Sequence, residues 1–200
     1  MIGGEVKFLH DNRQEGCNIE AMDWASSNGH FDIVKFLHKN RKEGCSKFAM
    51  YSASVNGRLD IVRFLHYNRK EGCSSYAMDR ASEYGHIDIV KFLHVNRTEG
   101  CTVNAMEWAS EKGHLEVVKF LHFNRTEGCT TRAMDGAIYS HHFDVMKFLL
   151  FNREELCSVG AIKWACRSSR RVISEFLLAK CRGDSSRYSE ILRALQNPAL

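Results

Sequence analysis

Apolar residues return in the same two clusters every 28 residues through most of the chain. In residues 101–128 the first cluster is Ala105, Met106 and Ala109 with Ser110, and the second is Val117, Val118, Phe120 and Leu121. Within each, the i, i+4 spacing places the members on one face of an α-helix. Each period therefore predicts two amphipathic helices. The first is slim, because it buries Ala, Ser and one Met at its positions 5, 6, 9 and 10. The second is thick, because it buries β-branched residues, Phe and Leu at positions 17, 18, 20 and 21. Self-similarity of this length marks a repeat architecture, in which neighbouring units bury one another's apolar faces.

Cysteine opens every period, at 17, 45, 73, 101, 129 and 157. Counting it as position 1 gives repeats 17–44, 45–72, 73–100, 101–128 and 129–156, then a degenerate repeat 157–184. Position 2 is Asn18, Ser46, Ser74, Thr102, Thr130 or Ser158, each able to cap a helix N-terminus. Gly29, Gly57, Gly85 and Gly113 at position 13 suit a left-handed C-cap. Asn at position 24 (Asn12, Asn40, Asn68, Asn96, Asn124, Asn152) is expected to end the second helix, as a second residue tolerant of the left-handed turn. Residues 1–16 match only the last part of a repeat. Toward the other end the pattern decays: His141 and Ser169 replace the position-13 glycine and Leu156 replaces the glycine before Cys157. That decay reads as capping. Residues 185–195 read as one more amphipathic helix covering the exposed end, within a C-terminal segment 185–200; the alternative is that this helix docks on another protein.

The run Gly113-His114-Leu115-Glu116-Val117-Val118-Lys119, with its copies at Gly29 and Gly85, resembles the second half of an ankyrin repeat. The first half departs from that family: its usual Thr-Pro-Leu-His-x-Ala stands here as Asn104-Ala105-Met106-Glu107-Trp108-Ala109. The repeat is also 28 residues long, against the usual 33. The missing residues fall where an ankyrin repeat forms its projecting β-hairpin. The sequence is similar to the short ankyrin-type repeats of water moulds, amoebae and giant viruses. The resemblance implies an all-α solenoid of stacked helix-turn-helix repeats with shortened loops and little or no β-hairpin, concave on the side of the slim helices. For function it implies protein–protein binding, with no catalysis and no cofactor, and it names no partner.

Composition narrows the classes further. The chain has 200 residues, 44% hydrophobic, with 28 basic and 24 acidic residues for a net charge of +4. No apolar run approaches the ~20 residues of a membrane span. The N-terminal residues Met1 to Lys7 lack the layout of a secretory signal. These features lead to the expectation of an intracellular, cytoplasmic protein, with the nucleus left open, monomeric and without a membrane partner.

Several ladders could be mistaken for chemistry. Equivalent cysteines in stacked helices should lie ~8–10 Å apart, beyond the ~7 Å a disulfide spans, so all eight cysteines are expected as free thiols. Histidine recurs at position 22 (His10, His38, His66, His94, His122) and position 14 (His30, His86, His114, His142), one per repeat rather than converging, which does not suit zinc. Arg at position 25 (Arg13, Arg41, Arg69, Arg97, Arg125, Arg153) and Glu at position 27 (Glu15, Glu43, Glu71, Glu99, Glu127, Glu155) recur up to the degenerate last repeat and are expected to pair and hold the short loop. On the second helix an acid at position 16 precedes a base at position 19, as in Asp32/Lys35 and Glu116/Lys119, a solvated face with modest pairing. Those matched acids argue against a nucleic-acid stripe. Nothing reads as a catalytic set.

What stops repeating is left to meet a partner. The varied positions are 4, 7, 8 and 11 of the first helix, flanked by position 12, and there aromatic residues and Arg accumulate among charges. The candidate partner-binding residues are Phe48, Tyr51, Tyr76, Arg80, Glu83, Tyr84, Asn104, Trp108, Lys112, Arg132 and Tyr139. Trp24 and Trp108 divide evenly between this role and packing. The expected function is a non-catalytic scaffold that binds a protein on the concave first-helix face. The alternatives are an anionic partner such as nucleic acid on the convex basic face, or a fragment of a longer protein whose enzymatic domain lies elsewhere.

Overall fold

A computed structural model of the chain describes residue 4, residues 18–153 and residues 157–167. Eleven helices and no strands are found among the described residues. The chain divides into two compact bodies, Met1–Ala105 and Met106–Leu200. The expected half-repeat over 1–16 and the C-terminal helix over 185–195 lie outside the described residues, residue 4 apart.

In the first body, helices alternate as the 28-residue pattern requires: α1 (Glu20–Asn28), α2 (Phe31–Asn40), α3 (Lys47–Val55), α4 (Leu59–Asn68), α5 (Tyr76–Glu83) and α6 (Ile87–Asn96). Each first helix packs on the second helix of its own repeat and on the first helix of the next, so α1, α3 and α5 form one layer; α2, α4 and α6 form the other. Between them lie Ala49, Met50 and Ala53 of α3 against Ile61, Val62 and Leu65 of α4, all buried. Helix α7 (Val103–Glu111) runs through the boundary. The second body holds α8 (Leu115–Asn124), α9 (Thr131–Tyr139), α10 (Phe143–Asn152) and α11 (Val159–Arg167). There α9 packs on α10 and α11, and α8 on α10.

Local chemistry sets the helix ends. Ser46 Oγ accepts the Phe48 N–H at 3.0 Å, and Thr102 and Thr130 repeat that cap at Asn104 and Arg132. Gly57 turns the chain out of α3 with φ 72°. A side chain there would also collide with the next repeat, because an added Cβ would stand 2.8 Å from His86 Cε1. The His86 ring in turn donates from Nε2 to the Val55 carbonyl at 3.0 Å. One residue thus meets two demands, a left-handed turn and a close approach. His141 occupies the same position in its repeat and adopts φ 66° without being glycine.

Two expectations need correction. Asn at position 24 is not a left-handed cap. It is the last residue of the second helix, and the chain leaves in an extended conformation at the following Arg, as at Arg69 with φ −128°. Its side chain does the capping: Asn68 Nδ2 donates to the Phe64 carbonyl at 2.8 Å, and Asn40, Asn96, Asn124 and Asn152 do the same. That carbonyl lies just inside the last four of the helix, the ones that lack intrahelical partners, so the amide gives it a second donor and clamps the last turn. Second, Phe at position 20 is not uniformly a core residue. Phe92 is buried, but Phe36, Phe64, Phe120 and Phe148 are half-exposed. Phe64 and Phe148 lie at the seam between repeats, meeting His38 and His122 of the preceding repeat edge-on at 5.3 and 5.4 Å.

Candidate functional site

The candidate face lies on the first helices, so its geometry depends on what holds those helices to one another. Two ladders do this. The first joins the acid at position 7 to the residue at position 2 of the next repeat. Asp23 accepts from the Ser46 N–H at 2.9 Å and from its hydroxyl at 2.6 Å. Asp79 receives the same pair of bonds from Thr102, at 2.7 and 2.8 Å. In the second body Glu107 takes both from Thr130, and Asp135 takes the Ser158 N–H. Asp23, Asp79 and Glu107 are buried. Position 7 was expected to face a partner. The structure turns its acids into the seam between repeats, because a buried carboxylate must find donors and the free N–H groups of the next helix supply them.

Tyr51 breaks that ladder. It stands where the other repeats have an acid, and α5 of the following repeat starts one residue late, at Tyr76, with no side-chain cap. Helices α3, α7, α9 and α11, which follow an acid, all start at position 3 of their repeats. Tyr51 is half-buried, its ring 5.7 Å from that of Phe48. Arg80 is held by Glu83 and also by the Tyr51 hydroxyl.

The second ladder is the expected Arg and Glu pair. Arg69–Glu71, Arg97–Glu99 and Arg125–Glu127 are ion pairs. The same carboxylates reach backward, Glu71 to the Cys45 N–H at 3.5 Å and Glu99 to the Cys73 N–H at 3.4 Å. Glycine at position 28 makes room for the guanidinium: a Cβ on Gly72 would stand 2.6 Å from Arg97 Nη2. The Arg97 hydrogen bond lowers the Glu99 carboxyl to about 2. Glu71 is lowered as well: burial pushes it up, but the Arg69 hydrogen bond and backbone donors outweigh that. Burial first, and the neighbouring carboxylate second, push the Cys45 and Cys73 thiols up to about 11. Cys45, Cys73, Cys101, Cys129 and Cys157 are free thiols.

With these seams closed, the first body exposes a set of rings on its first helices. Trp24 of α1 is 61% exposed, and Phe48 of α3, Tyr76 of α5 and Tyr84 just after it are about half exposed. Arg80 and Glu83 lie half-buried among them, and Asn104, at the start of α7, is half-buried. Position 8 proves irregular, since Trp24 is open while Ser52 of the next repeat is buried. In the second body Lys112, Arg132 and Tyr139 are exposed and Trp108 is half-buried. The Tyr139 ring meets Trp164 edge-on at 5.4 Å, and His141 stacks on the same indole at 5.1 Å.

Reading the sequence missed the structural use of position 7. The signal was present, because an acid stands there in four repeats and the residue 23 places later is always Ser or Thr in those four. Among the described residues, no group of side chains is arranged to hold a metal ion, and no helix is long and apolar enough to cross a membrane.

Comparison with known proteins gives one result. A family model described as ankyrin repeats (3 copies) matches residues 49–135 and again residues 77–159. Together the two matches cover more than half of the 200 residues. No curated protein matches the chain.

Proposed function

The chain belongs to the ankyrin-repeat family, and from that premise we propose that it is a non-catalytic scaffold that binds a protein partner on the first helices of its first body. Ankyrin repeats are in general protein–protein interaction modules; the face and the residues are our reading. One observation carries it: Trp24, Phe48, Tyr76 and Tyr84 stand open on or beside α1, α3 and α5, with the Arg80–Glu83 pair on α5. Large rings buried in the centre of an interface, with an Arg beside them, supply most of the binding energy in protein complexes. The rings do not hold the stack together, since the buried Ala and Met residues and the two polar ladders do that. Tyr51 contributes indirectly, by supporting Phe48 and Arg80. In the second body Trp108, Lys112, Arg132 and Tyr139 are the corresponding candidates on α7, α9 and the residues that follow α7.

Paired affinity capture tests the proposal. The intact chain and a Trp24→Ala, Phe48→Ala, Tyr76→Ala triple variant are used as baits in the same lysate, with circular dichroism as the folding control. The expected result is a protein retained by the first bait and lost by the folded second. Equal retention of every captured protein by both baits would remove this face from consideration.

A further inference from the structure

In each body the second helices end on side chains that the packing leaves uncovered. Position 23 of four successive repeats is Tyr67, Val95, Phe123 and Phe151, and these are 70%, 76%, 70% and 60% exposed. The bases of the aromatic ones are supported. In the first body the Tyr67 ring rests 4.7 Å from His66 and 6.3 Å from Phe92. In the second body Phe123 stands 4.7 Å from His122 and 6.1 Å from Phe148. The same arrangement occurs in both bodies, with the outer part of each ring left in water. In the first repeat Lys39 takes position 23, and Lys42 and Lys70 follow at position 26 of the first and second repeats. All three lysines are exposed, and no ion pair engages them among the described residues. Glu43 is the exposed acid beside them.

We propose that the rim of the first body, Tyr67 and Val95 together with Lys39, Lys42 and Lys70, docks on a lipid surface that carries anionic headgroups. It is separate from the first-helix face, and it does not depend on that face being a protein-binding site. Single apolar side chains one repeat apart suit a fluid phase, which closes around each tip without a preformed hole. A folded protein would need a matching cavity for every tip. Aromatic side chains settle at the level of the headgroups, where the ring is apolar and the edge is wet. Lysine stems lie along the same boundary while their ammonium groups reach the phosphates. The charge is complementary, since among the described residues no ion pair engages the three exposed lysines of the first body.

Flotation of the full chain with vesicles decides the matter. One set is phosphatidylcholine alone and the other adds phosphatidylserine at about 30 mol%, enough to give a negative surface. The chain is expected to float with the anionic vesicles and to stay behind with the neutral ones. A Tyr67→Ser, Val95→Ser variant and a Lys39→Glu, Lys42→Glu, Lys70→Glu variant should each lower the bound fraction at least about tenfold. A Phe48→Ala, Tyr76→Ala variant should float like the unmodified chain. If the serine variant fails to fold, the lysine variant carries the comparison. The proposal falls if the unmodified chain floats with neither vesicle, or if the folded variants float as well as it does. It also falls if light scattering finds a dimer that the serine variant makes monomeric, because a second copy then covers the rim.

Discussion

Glu99 shows how one side chain serves two repeats. Its carboxylate pairs with Arg97 and accepts the Cys73 N–H of the preceding repeat, and it is held at about 2 against an ordinary value of 4.5. The folded-state value is depressed, so its contribution is complete above the ordinary value and is lost as pH falls from about 4.5 toward about 2. Glu99→Gln is therefore expected to show a shallower fall in Tm across that interval than the unmodified chain. Identical acid slopes would contradict the ladder's role. Asp79 makes the complementary case at the other seam. Its carboxylate is buried and accepts both donors of Thr102. Asp79→Ala leaves those donors without partners, and urea unfolding should report a loss of about 1–3 kcal/mol. The residues that repeat were readable as architecture from the sequence. Asp79 was not, because it was grouped with varied positions when Tyr51 interrupted its column.

At the scale of the helix, the late start of α5 is the local consequence of that interruption. Where an acid at position 7 grips the next position 2, the hydroxyl is oriented to accept the N–H two residues on, as Ser46 does for Phe48. Opposite Tyr51 no acid is present, and α5 begins at Tyr76 with Ser75 already helical. Tyr51→Asp should restore the grip on Ser74, and amide hydrogen exchange at Tyr76 should slow as its N–H gains an acceptor. Unchanged exchange there would separate the two observations. The helix pattern itself was legible because burial repeats with a 3.6-residue period. Helix ends were less so: the Asn at position 24 suggested a left-handed turn, whereas its amide bonds the carbonyl four residues back. Both uses belong at a helix C-terminus, and sequence alone gives no sign of which one operates.

For the molecule as a whole, the free thiols report the integrity of the stack. Cys45 and Cys73 are buried and carry thiols raised to about 11, so at pH 8 they are neutral and shielded. A thiol-reactive dye should leave them unmodified in native protein and label them in denaturant, and rapid native labelling would contradict their place in the seam. The family and the all-helical architecture followed from the 28-residue period, since every repeat restates it. The exposed rings of α1, α3 and α5 were only partly foreseeable. Position 8 holds an open Trp24 in one repeat and a buried Ser52 in the next, a difference that depends on the neighbouring repeat. The exposure at position 23 was missed because an apolar residue in the last turn of a helix looks like one more core position. The central claim, that partner energy concentrates on the first helices of the first body, is tested most directly by titration calorimetry with the captured partner. Phe48→Ala, Tyr76→Ala and Arg80→Ala should each weaken the complex by about 1–3 kcal/mol, while Lys35→Glu and Lys91→Glu on the second helices leave it unchanged. Undiminished affinity in the first set, with binding abolished in the second, would contradict the account.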